Sequence, residues 1–375
     1  MQSKQPPGGK TTVPFLDLHA QYRSIREDID DAIAEVIRTS RFILGSEETK
    51  FERAFADSLR IPYAVGCSCG TSALFMALVA LGVPRRAEVI VPTLTYIATA
   101  EAVSLAGAVP VFVDSEPDTG LVDLEAVRRA ITPRTWGIIP VHLYGQMVDM
   151  AALVDLAREK GLRVIEDAAQ AHAAECRGLR PGALSDAATF SFFPGKNLGA
   201  YGDAGAIATR NDALASWMRR YRNHGRADKY SHDFIAFNFR LDGIQAAILQ
   251  AKLPHLERWT EQRRSIAARY RAGLEERGIR CLVERSYNRH VYHQFVIRHP
   301  ERERLLKALR GSGIECGVHY PIPLHLQPAY ASSGYAEGSL PRAEALCREV
   351  LSLPVDPGMT DEQVDYVIER VLFHA

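Results

Sequence analysis

The chain has 375 residues, of which 47% are hydrophobic, and its 45 Lys and Arg side chains balance its 45 Asp and Glu side chains. This length predicts two or three domains with a substantial buried core. A formal net charge of zero provides no broad attraction to nucleic acid or anionic lipid, so the composition favours chemistry on small molecules.

The cysteines and the N-terminus indicate the compartment. The six cysteines are scattered and lack the paired spacings of a zinc site. The first twelve residues have no apolar stretch like that of a signal peptide, and no later run is apolar over about 18 residues. We therefore expect a soluble, cytoplasmic protein with reduced thiols, no metal and a disordered tail over residues 1–12.

The first predicted elements are a helix and then a series of strands. Isoleucines recur every fourth residue within 22–38, which is typical of one face of a helix. Short apolar runs then alternate with helical stretches: EVIVP (88–92), VPVFVD (109–114), GIIPVHLYG (137–145) and RVIEDAA (163–169). Such runs predict an α/β fold with a mostly parallel sheet between helices.

The predicted helices and a change of composition suggest the domain boundaries. Helical stretches over 71–82 and 150–161 each end at a glycine, and a longer one covers 244–278 with Pro254 as a joint. Mixed α and β patterns follow it. We predict a large domain over 13–253 and a smaller C-terminal α+β domain over 254–375.

Polar residues follow several of the predicted strands, where ligands bind in an open α/β sheet. Gly70 and Thr71 lie between a strand and a helix, so their backbone N–H groups suit a phosphate, although an ordinary helix cap would have the same pattern. Asp167 ends the run VIE and could hold a proton on a ring nitrogen, or be a simple turn residue. Tyr96 offers a flat ring, or is part of the core.

Lys196 lies in the glycine-rich stretch TFSFFPGKNLGAYGDAGAIAT (189–209), between two predicted strands. Near a phosphate site it would be partly desolvated and close to other cationic groups, which favours the neutral amine that attacks a carbonyl. Amine, phosphate site, carboxylate and aromatic face together suit pyridoxal 5'-phosphate. A solvated lysine in a hairpin is the alternative.

Longer motifs resemble a known family from about residue 13 to the C-terminus. They are FILGSE (42–47), CSCGTSAL (67–74), PTLTYIATAEAV (92–103), PVHLYGQ (140–146), VIEDAAQAHAA (164–174), SFFPGKNLGAYGDAGA (191–206), NFRLDGIQAAIL (238–249) and HYPIPLHLQPAY (319–330). In this combination the chain resembles the sugar-nucleotide aminotransferases of the DegT/DnrJ/StrS type, a branch of the fold type I pyridoxal phosphate enzymes. Ala173 departs from the glycine that is usual at its position.

The resemblance implies a role for each matching residue. Lys196 would form the Schiff base with the cofactor and then act as the base, and Asp167 would pair with the ring nitrogen. Tyr96 would stack on the ring, and Gln170 would lie near its hydroxyl. The phosphate would be held by Gly70, Thr71, Ser191 and, from a second subunit, Asn238. We expect a homodimer with shared active sites, and we name Tyr320 and His325 as candidate substrate contacts.

The resemblance also implies a reaction. L-glutamate would pass its amino group to the cofactor, and the resulting pyridoxamine 5'-phosphate would aminate a nucleotide-linked keto sugar. The segment SFFPGKNLGAYGDAG is similar to the branch that aminates carbon 3, so we expect a 3-keto-6-deoxyhexose linked to dTDP. Amination at carbon 4, or of a UDP-linked sugar or cyclitol, is the alternative. A sugar dehydratase, whose members have histidine in place of the lysine, and a regulatory protein on the same scaffold are further alternatives.

Overall fold

A computed structural model describes residues 12–375; of the predicted disordered tail, residues 1–11 lie outside the described residues. The α-helices are α1 (Leu18–Ser24), α2 (Arg26–Thr39), α3 (Ser46–Leu59), α4 (Gly70–Ala80), α5 (Ala98–Leu105), α6 (Leu124–Ala130), α7 (Met150–Lys160), α8 (Asp212–Tyr221), α9 (Gly243–Lys252), α10 (Leu256–Glu275), α11 (Arg302–Gly311), α12 (Pro341–Glu349) and α13 (Asp361–His374). The strands are β1 (Tyr63–Cys67), β2 (Glu88–Pro92), β3 (Val109–Val113), β4 (Thr135–Ile138), β5 (Arg163–Asp167), β6 (Glu175–Cys176), β7 (Ala187–Ser191), β8 (Gly205–Thr209), β9 (Arg280–Cys281), β10 (Asn288–Arg289), β11 (Phe295–Arg298) and β12 (Val350–Leu353).

A seven-stranded sheet with the order β1-β8-β7-β5-β4-β2-β3 forms the centre of the protein. The strands from β7 to β3 are parallel to one another, and β8 is antiparallel to both of its neighbours. The predicted mostly parallel sheet is confirmed. Its carboxyl edge gathers the ends of β5 and β7, so the residues that follow these strands lie together.

The sheet is buried on both faces, as its apolar strands predict. Ile90 of β2 packs in one core cluster with α7, whereas its neighbours Val89 and Val91 pack in a second cluster with α4. Because side chains alternate along a strand, this division places helices on both faces of the sheet.

Two predicted elements differ in extent from the observed ones. The apolar run 137–145 remains a strand only to Ile138, because Pro140 has no N–H for a ladder and the chain turns into a 3-10 helix at Leu143–Gly145. The helix predicted over 22–38 is broken at Ile25, whose φ of -139° is not helical. Of its four isoleucines, Ile25 and Ile29 are buried, whereas Ile37 is 57% exposed.

The C-terminal part forms a smaller unit of strands and helices. A three-stranded antiparallel sheet of order β12-β11-β9 packs with α10, α11 and α13 around a third core cluster. Val13 joins this cluster and forms a parallel bridge with Ile314. Pro254 lies in a 3-10 turn between α9 and α10, where a joint was expected. The division into domains at this joint remains a prediction.

No helix within residues 12–375 combines the length and the apolar character that a membrane crossing requires.

Candidate active site

A cavity of about 640 Å³ opens at the carboxyl edge of the central sheet. Eight of the ten residues proposed from the sequence line it: Gly70, Thr71, Tyr96, Asp167, Gln170, Ser191, Lys196 and Tyr320. These residues come from five separate stretches of the chain, so the fold brings the predicted groups together. His325 and Asn238 of the same chain are not among the lining residues of this cavity.

Lys196 lies in the turn that follows β7, and its side chain is partly buried in the cavity wall. Its backbone N–H donates to the carbonyl of Phe193 at 2.8 Å. Burial lowers the pKa of the Lys196 ammonium to about 8, and the nearby Asp167 carboxylate opposes this shift. Because the neutral amine is the nucleophilic form, Lys196 is prepared for attack on a carbonyl near neutral pH.

The turn that carries Lys196 is anchored from α9. Lys252 is fully buried, and its Nζ donates to the carbonyl oxygen of Gly199 at 2.8 Å. The same ammonium lies 4.1 Å from the centre of the Tyr201 ring. Lys252 therefore holds the turn in place without reaching the cavity.

Asp167 ends β5 and is a buried residue of the cavity lining. Its Oδ2 accepts a hydrogen bond from the Thr99 hydroxyl at 2.8 Å, and its Oδ1 accepts one from the backbone N–H of Ala169 at 3.2 Å. Burial raises the pKa of the Asp167 carboxyl, whereas these two donors and Lys196 favour the carboxylate. The arrangement suits a carboxylate that pairs with a cationic ring nitrogen.

Gly70 and Thr71 begin α4 beside the end of β7. Cys69 caps this helix through its side chain, which accepts from the N–H of Ser72. The N–H groups of the first turn have no partner within a helix, and they carry its positive dipole end. A Cβ atom at Gly70 would lie 2.7 Å from the Cβ of Ser191, so glycine is required for this close approach. We name this compact arrangement of Gly70, Thr71 and Ser191 the Gly70 cradle, and its N–H groups suit an anion.

Aromatic and amide side chains form another wall. Tyr96 is 59% exposed, and the centres of its ring and the Tyr320 ring are 6.0 Å apart. Gln170 donates from Nε2 to the Tyr320 hydroxyl at 3.3 Å and accepts from the N–H of Tyr144 at 2.6 Å. A planar ring would thus meet an accessible aromatic face in Tyr96 and a fixed amide in Gln170.

His325 is a correction to the sequence prediction. Its ring is fully buried, with Nδ1 at 2.7 Å from the Thr93 hydroxyl and Nε2 at 3.1 Å from a Glu344 carboxylate oxygen. Both nitrogens are occupied by the protein, and the ring lies outside the cavity lining, so it has no free group for a substrate.

Several cavity residues were not singled out from the sequence. Thr99 supports Asp167, and Arg263, His293 and His319 contribute to the cavity wall. Thr99 falls within the quoted PTLTYIATAEAV motif, three residues after Tyr96, so the motif could have indicated that it lies near the site. His319 begins the quoted HYPIPLHLQPAY motif, so it had the same kind of signal. Arg263 and His293 lie in the C-terminal part outside the quoted motifs, where no local pattern indicates which side chains face the sheet.

The position of Ala173 explains why glycine is usual there. Its φ is 65°, in the left-handed region that side chains with a Cβ rarely adopt. Ala173 is buried and its carbonyl accepts from Arg289 at 3.1 Å, so the surrounding structure holds this conformation.

The residues present fit pyridoxal phosphate. Gly70 lacks the Cβ that would collide with Ser191 beside the first N–H groups of α4, and a buried carboxylate, a low-pKa amine and an open aromatic face lie in the same cavity. An aldehyde, a phosphate and a basic ring nitrogen are the groups that such a set would bind.

The chain matches a family model and several curated proteins. The family model described as "DegT/DnrJ/EryC1/StrS aminotransferase family" matches residues 23–372. The chain is 49% identical over 362 residues to the "Pleiotropic regulatory protein" of Geobacillus stearothermophilus, covering 96% of this chain and 97% of that protein. It is 47% identical over 360 residues to the "dTDP-3-amino-3,4,6-trideoxy-alpha-D-glucose transaminase" of Streptomyces venezuelae, covering 96% and 95%.

Solved structures have the same fold. The crystal structure of S. venezuelae DesV in complex with a ketimine intermediate matches with a TM-score of 0.95 and 47% identity, covering 96% of this chain and 98% of that one. The Bacillus subtilis protein NtdA with bound cofactor PMP matches with a TM-score of 0.91 and 35% identity, covering 99% and 86%.

Proposed function

The chain belongs to the DegT/DnrJ/EryC1/StrS aminotransferase family, and from this premise we propose that it uses pyridoxal phosphate to transfer an amino group from L-glutamate to a nucleotide-linked 3-keto sugar. The substrate we favour is a dTDP-linked 3-keto-6-deoxyhexose, and the product is the 3-amino sugar nucleotide. The observation that carries the proposal is the low-pKa Lys196 in one cavity with Asp167 and the Gly70 cradle. The six free cysteines favour a cytoplasmic enzyme.

Each residue of the site has a task in this reaction. When bound, pyridoxal phosphate supplies an electron sink for the carbon that carries the amino group. Lys196 would take a proton at Nζ from that carbon and pass it to the cofactor carbon that receives the amino group, which its lowered pKa allows near neutral pH. Asp167 stabilises a positive charge on a ring nitrogen through its carboxylate. The N–H groups of Gly70 and Thr71 and the hydroxyl of Ser191 would hold the phosphate.

The preference for carbon 3 rests on two observations. The segment SFFPGKNLGAYGDAG is similar to the branch that aminates this carbon, and the S. venezuelae relative is named for a 3-amino sugar. The presence of Lys196 argues against a dehydratase, whose members replace the lysine with histidine. One relative is named as a regulatory protein, but the intact set of amine, carboxylate and phosphate cradle favours catalysis here.

A substrate panel tests the proposed function. The purified protein, supplied with pyridoxal phosphate and L-glutamate, is incubated with 3-keto and 4-keto sugars linked to dTDP, UDP or GDP, and products are identified by mass spectrometry. We expect the mass of an amino sugar with the dTDP-linked 3-keto substrate. An amino product only from a 4-keto sugar would refute the carbon 3 assignment, and no product from any substrate would refute the function.

We further propose that the active unit is a homodimer in which Asn238 reaches the partner's site. Asn238 is exposed and does not cap α9, whose N-cap is Asp242. Beside it, Ile235 is 99% exposed and Phe237 is 48% exposed, and Phe42 and Leu44 are also exposed. Exposed apolar side chains such as these favour burial against a second copy.

Mixed dimers test the shared site. A Lys196→Ala chain and an Asn238→Asp chain, each inactive alone, are co-expressed with different tags and the heterodimer is purified. One of its two sites then has both intact residues, so we expect about half of the wild-type activity per dimer if the site spans both subunits. The Asp substitution places a negative charge against the phosphate, which accounts for the inactivity of its own homodimer.

The matched control is a heterodimer of a Lys196→Ala chain and an Asp167→Asn chain. Both of these residues line the same cavity of one chain, so neither site of that heterodimer is intact and no activity should return. If the Asn238 pair shows no more activity than this control, the shared site is excluded.

A further inference from the structure

Asn197, which directly follows Lys196, links the Lys196 turn to the C-terminal part. Its Nδ2 donates to the carbonyl oxygen of Val291 at 2.9 Å. Its Oδ1 lies 3.2 Å from Nδ1 of His293, and His293 lines the cavity. Asn197 itself is buried, so these two contacts hold its amide in one orientation.

This geometry determines which ring nitrogen of His293 carries the proton. Because the amide nitrogen of Asn197 is used on a carbonyl, Oδ1 is left as a pure acceptor facing the ring. The contact at 3.2 Å is a hydrogen bond only if Nδ1 of His293 is the donor. A neutral imidazole has a single N–H, so Nε2 carries a lone pair.

Nε2 of His293 has only a weak hydrogen-bond partner among residues 12–375. Its neighbour within hydrogen-bond distance in residues 12–375 is Nε2 of Gln294, at 3.5 Å, the outer limit of a hydrogen bond. The His293 ring is only partly buried, and its Nδ1 edge faces the buried Asn197. The remaining edge is therefore the one available to the cavity.

The surroundings keep this imidazole neutral. Burial lowers the pKa of His293 well below its usual value, and the positive or ionisable groups that face it act in the same direction: Lys196, Arg263, His319 and His172. Nε2 of His293 therefore remains a hydrogen-bond acceptor, although several cationic groups lie around it.

We propose that His293 is a substrate-contact residue whose Nε2 accepts a hydrogen bond from an ammonium or hydroxyl donor of the bound substrate, and that Asn197 positions it. The inference rests on the proposed function, in which both the amino acid and the sugar enter this cavity. The amino acid offers an ammonium group and the sugar offers hydroxyl groups. A site built to accept such a proton discriminates against analogues that lack it.

The tautomer is tested without any catalysis. Histidine-labelled ¹⁵N protein gives ring nitrogen shifts that distinguish a protonated Nδ1 from a protonated Nε2, and the signal missing from His293→Asn assigns the residue. We expect Nδ1–H in the wild-type protein. A protonated Nε2 would overturn the proposal, whether or not the protein is an aminotransferase.

Substrate contact is tested with two variants in separate half-reactions. His293→Asn keeps an amide donor near the position of Nδ1 and removes Nε2, so cofactor loading and the melting temperature should be preserved. We expect about a tenfold rise in KM with little change in kcat, typical of one lost hydrogen bond to substrate. A higher KM for glutamate identifies the ammonium group as the donor, and a higher KM for the sugar substrate identifies a hydroxyl group as the donor. Unchanged KM in both, beside an active wild type, would exclude the contact.

Asn197→Asp supplies a pH signature. A carboxylate next to Nδ1 stabilises the imidazolium and raises the pKa of His293, so Nε2 becomes a donor at low pH. The KM of the affected half-reaction should rise as pH falls through the new pKa of His293 and return to its earlier value as pH rises. The wild type should show no such loss of affinity at low pH. The double variant His293→Asn/Asn197→Asp has the same new carboxylate beside Lys196 but no imidazole at position 293, so the loss at low pH should be absent from it. An equal loss in the double variant, or the same pH profile for Asn197→Asp and the wild type, would overturn the proposal.

Discussion

Lys196→Ala is expected to lower the rate of transamination by about 10²–10⁴-fold or more, the contribution of a positioned general base, to which the loss of the nucleophile adds. Borohydride treatment of the wild-type protein with pyridoxal phosphate should attach the cofactor to Lys196. The variant should bind the cofactor without a covalent link. Peptide mapping by mass spectrometry and the absorption spectrum measure both effects.

Lys252 provides an internal control for this labelling. Lys252 is a fully buried lysine near the turn, and burial lowers its pKa to about 7, yet it lies outside the cavity lining. If a low pKa alone determined reactivity, Lys252 would be labelled at least as readily. We expect the label at Lys196 only, and a label confined to Lys252 would refute the assigned nucleophile.

The pH dependence of cofactor attachment follows from the lowered pKa of Lys196. The ammonium deprotonates at a pKa of about 8 in place of 10.5. The fraction of neutral amine, and with it the rate of attachment, should rise from pH 6, pass its midpoint near pH 8 and level off at about pH 9. A rate that continues to rise to pH 10 would indicate an unperturbed lysine.

Asp167→Asn is the second substitution with a large expected effect. It preserves the shape of the side chain and its burial but removes the negative charge that stabilises a protonated ring nitrogen. Cofactor should still bind through the Gly70 cradle and Lys196. We expect kcat to fall by about 10²–10³-fold, the usual cost of removing one electrostatic contact in an active site. Stopped-flow measurement of the glutamate half-reaction provides the rate.

Thr99→Val distinguishes the effect of the Asp167 charge from that of the hydrogen bond that Asp167 accepts from Thr99. This variant keeps the Asp167 carboxylate and removes only the hydroxyl that donates to Oδ2 at 2.8 Å. Loss of that donor raises the pKa of Asp167 further, so a smaller fall in kcat is expected, and the fall should lessen as pH rises. Near-normal turnover by Asp167→Asn would remove the carboxylate from its assigned role.

The sequence by itself determined the family and the sheet, and it predicted eight of the residues that line the cavity. Each of those signals is local: β2 occupies the run EVIVP, α4 begins at Gly70, one residue before the predicted start at 71, and Asp167 ends its strand. The carboxyl ends of parallel strands meet at one edge of a sheet, so an order of strands and helices already predicts that residues after these strands share a cavity.

Only the tertiary structure decided which C-terminal side chains complete that cavity. The hydrogen bond between Asn197 and His293 joins residues 96 positions apart, and His325 is directed into a buried pair with Thr93, 232 positions away. Tyr320 and His325 belong to one motif, yet only Tyr320 lines the cavity. Local patterns encode helix and strand periodicity, whereas the direction of a loop side chain depends on the packing of the chain segments that surround it.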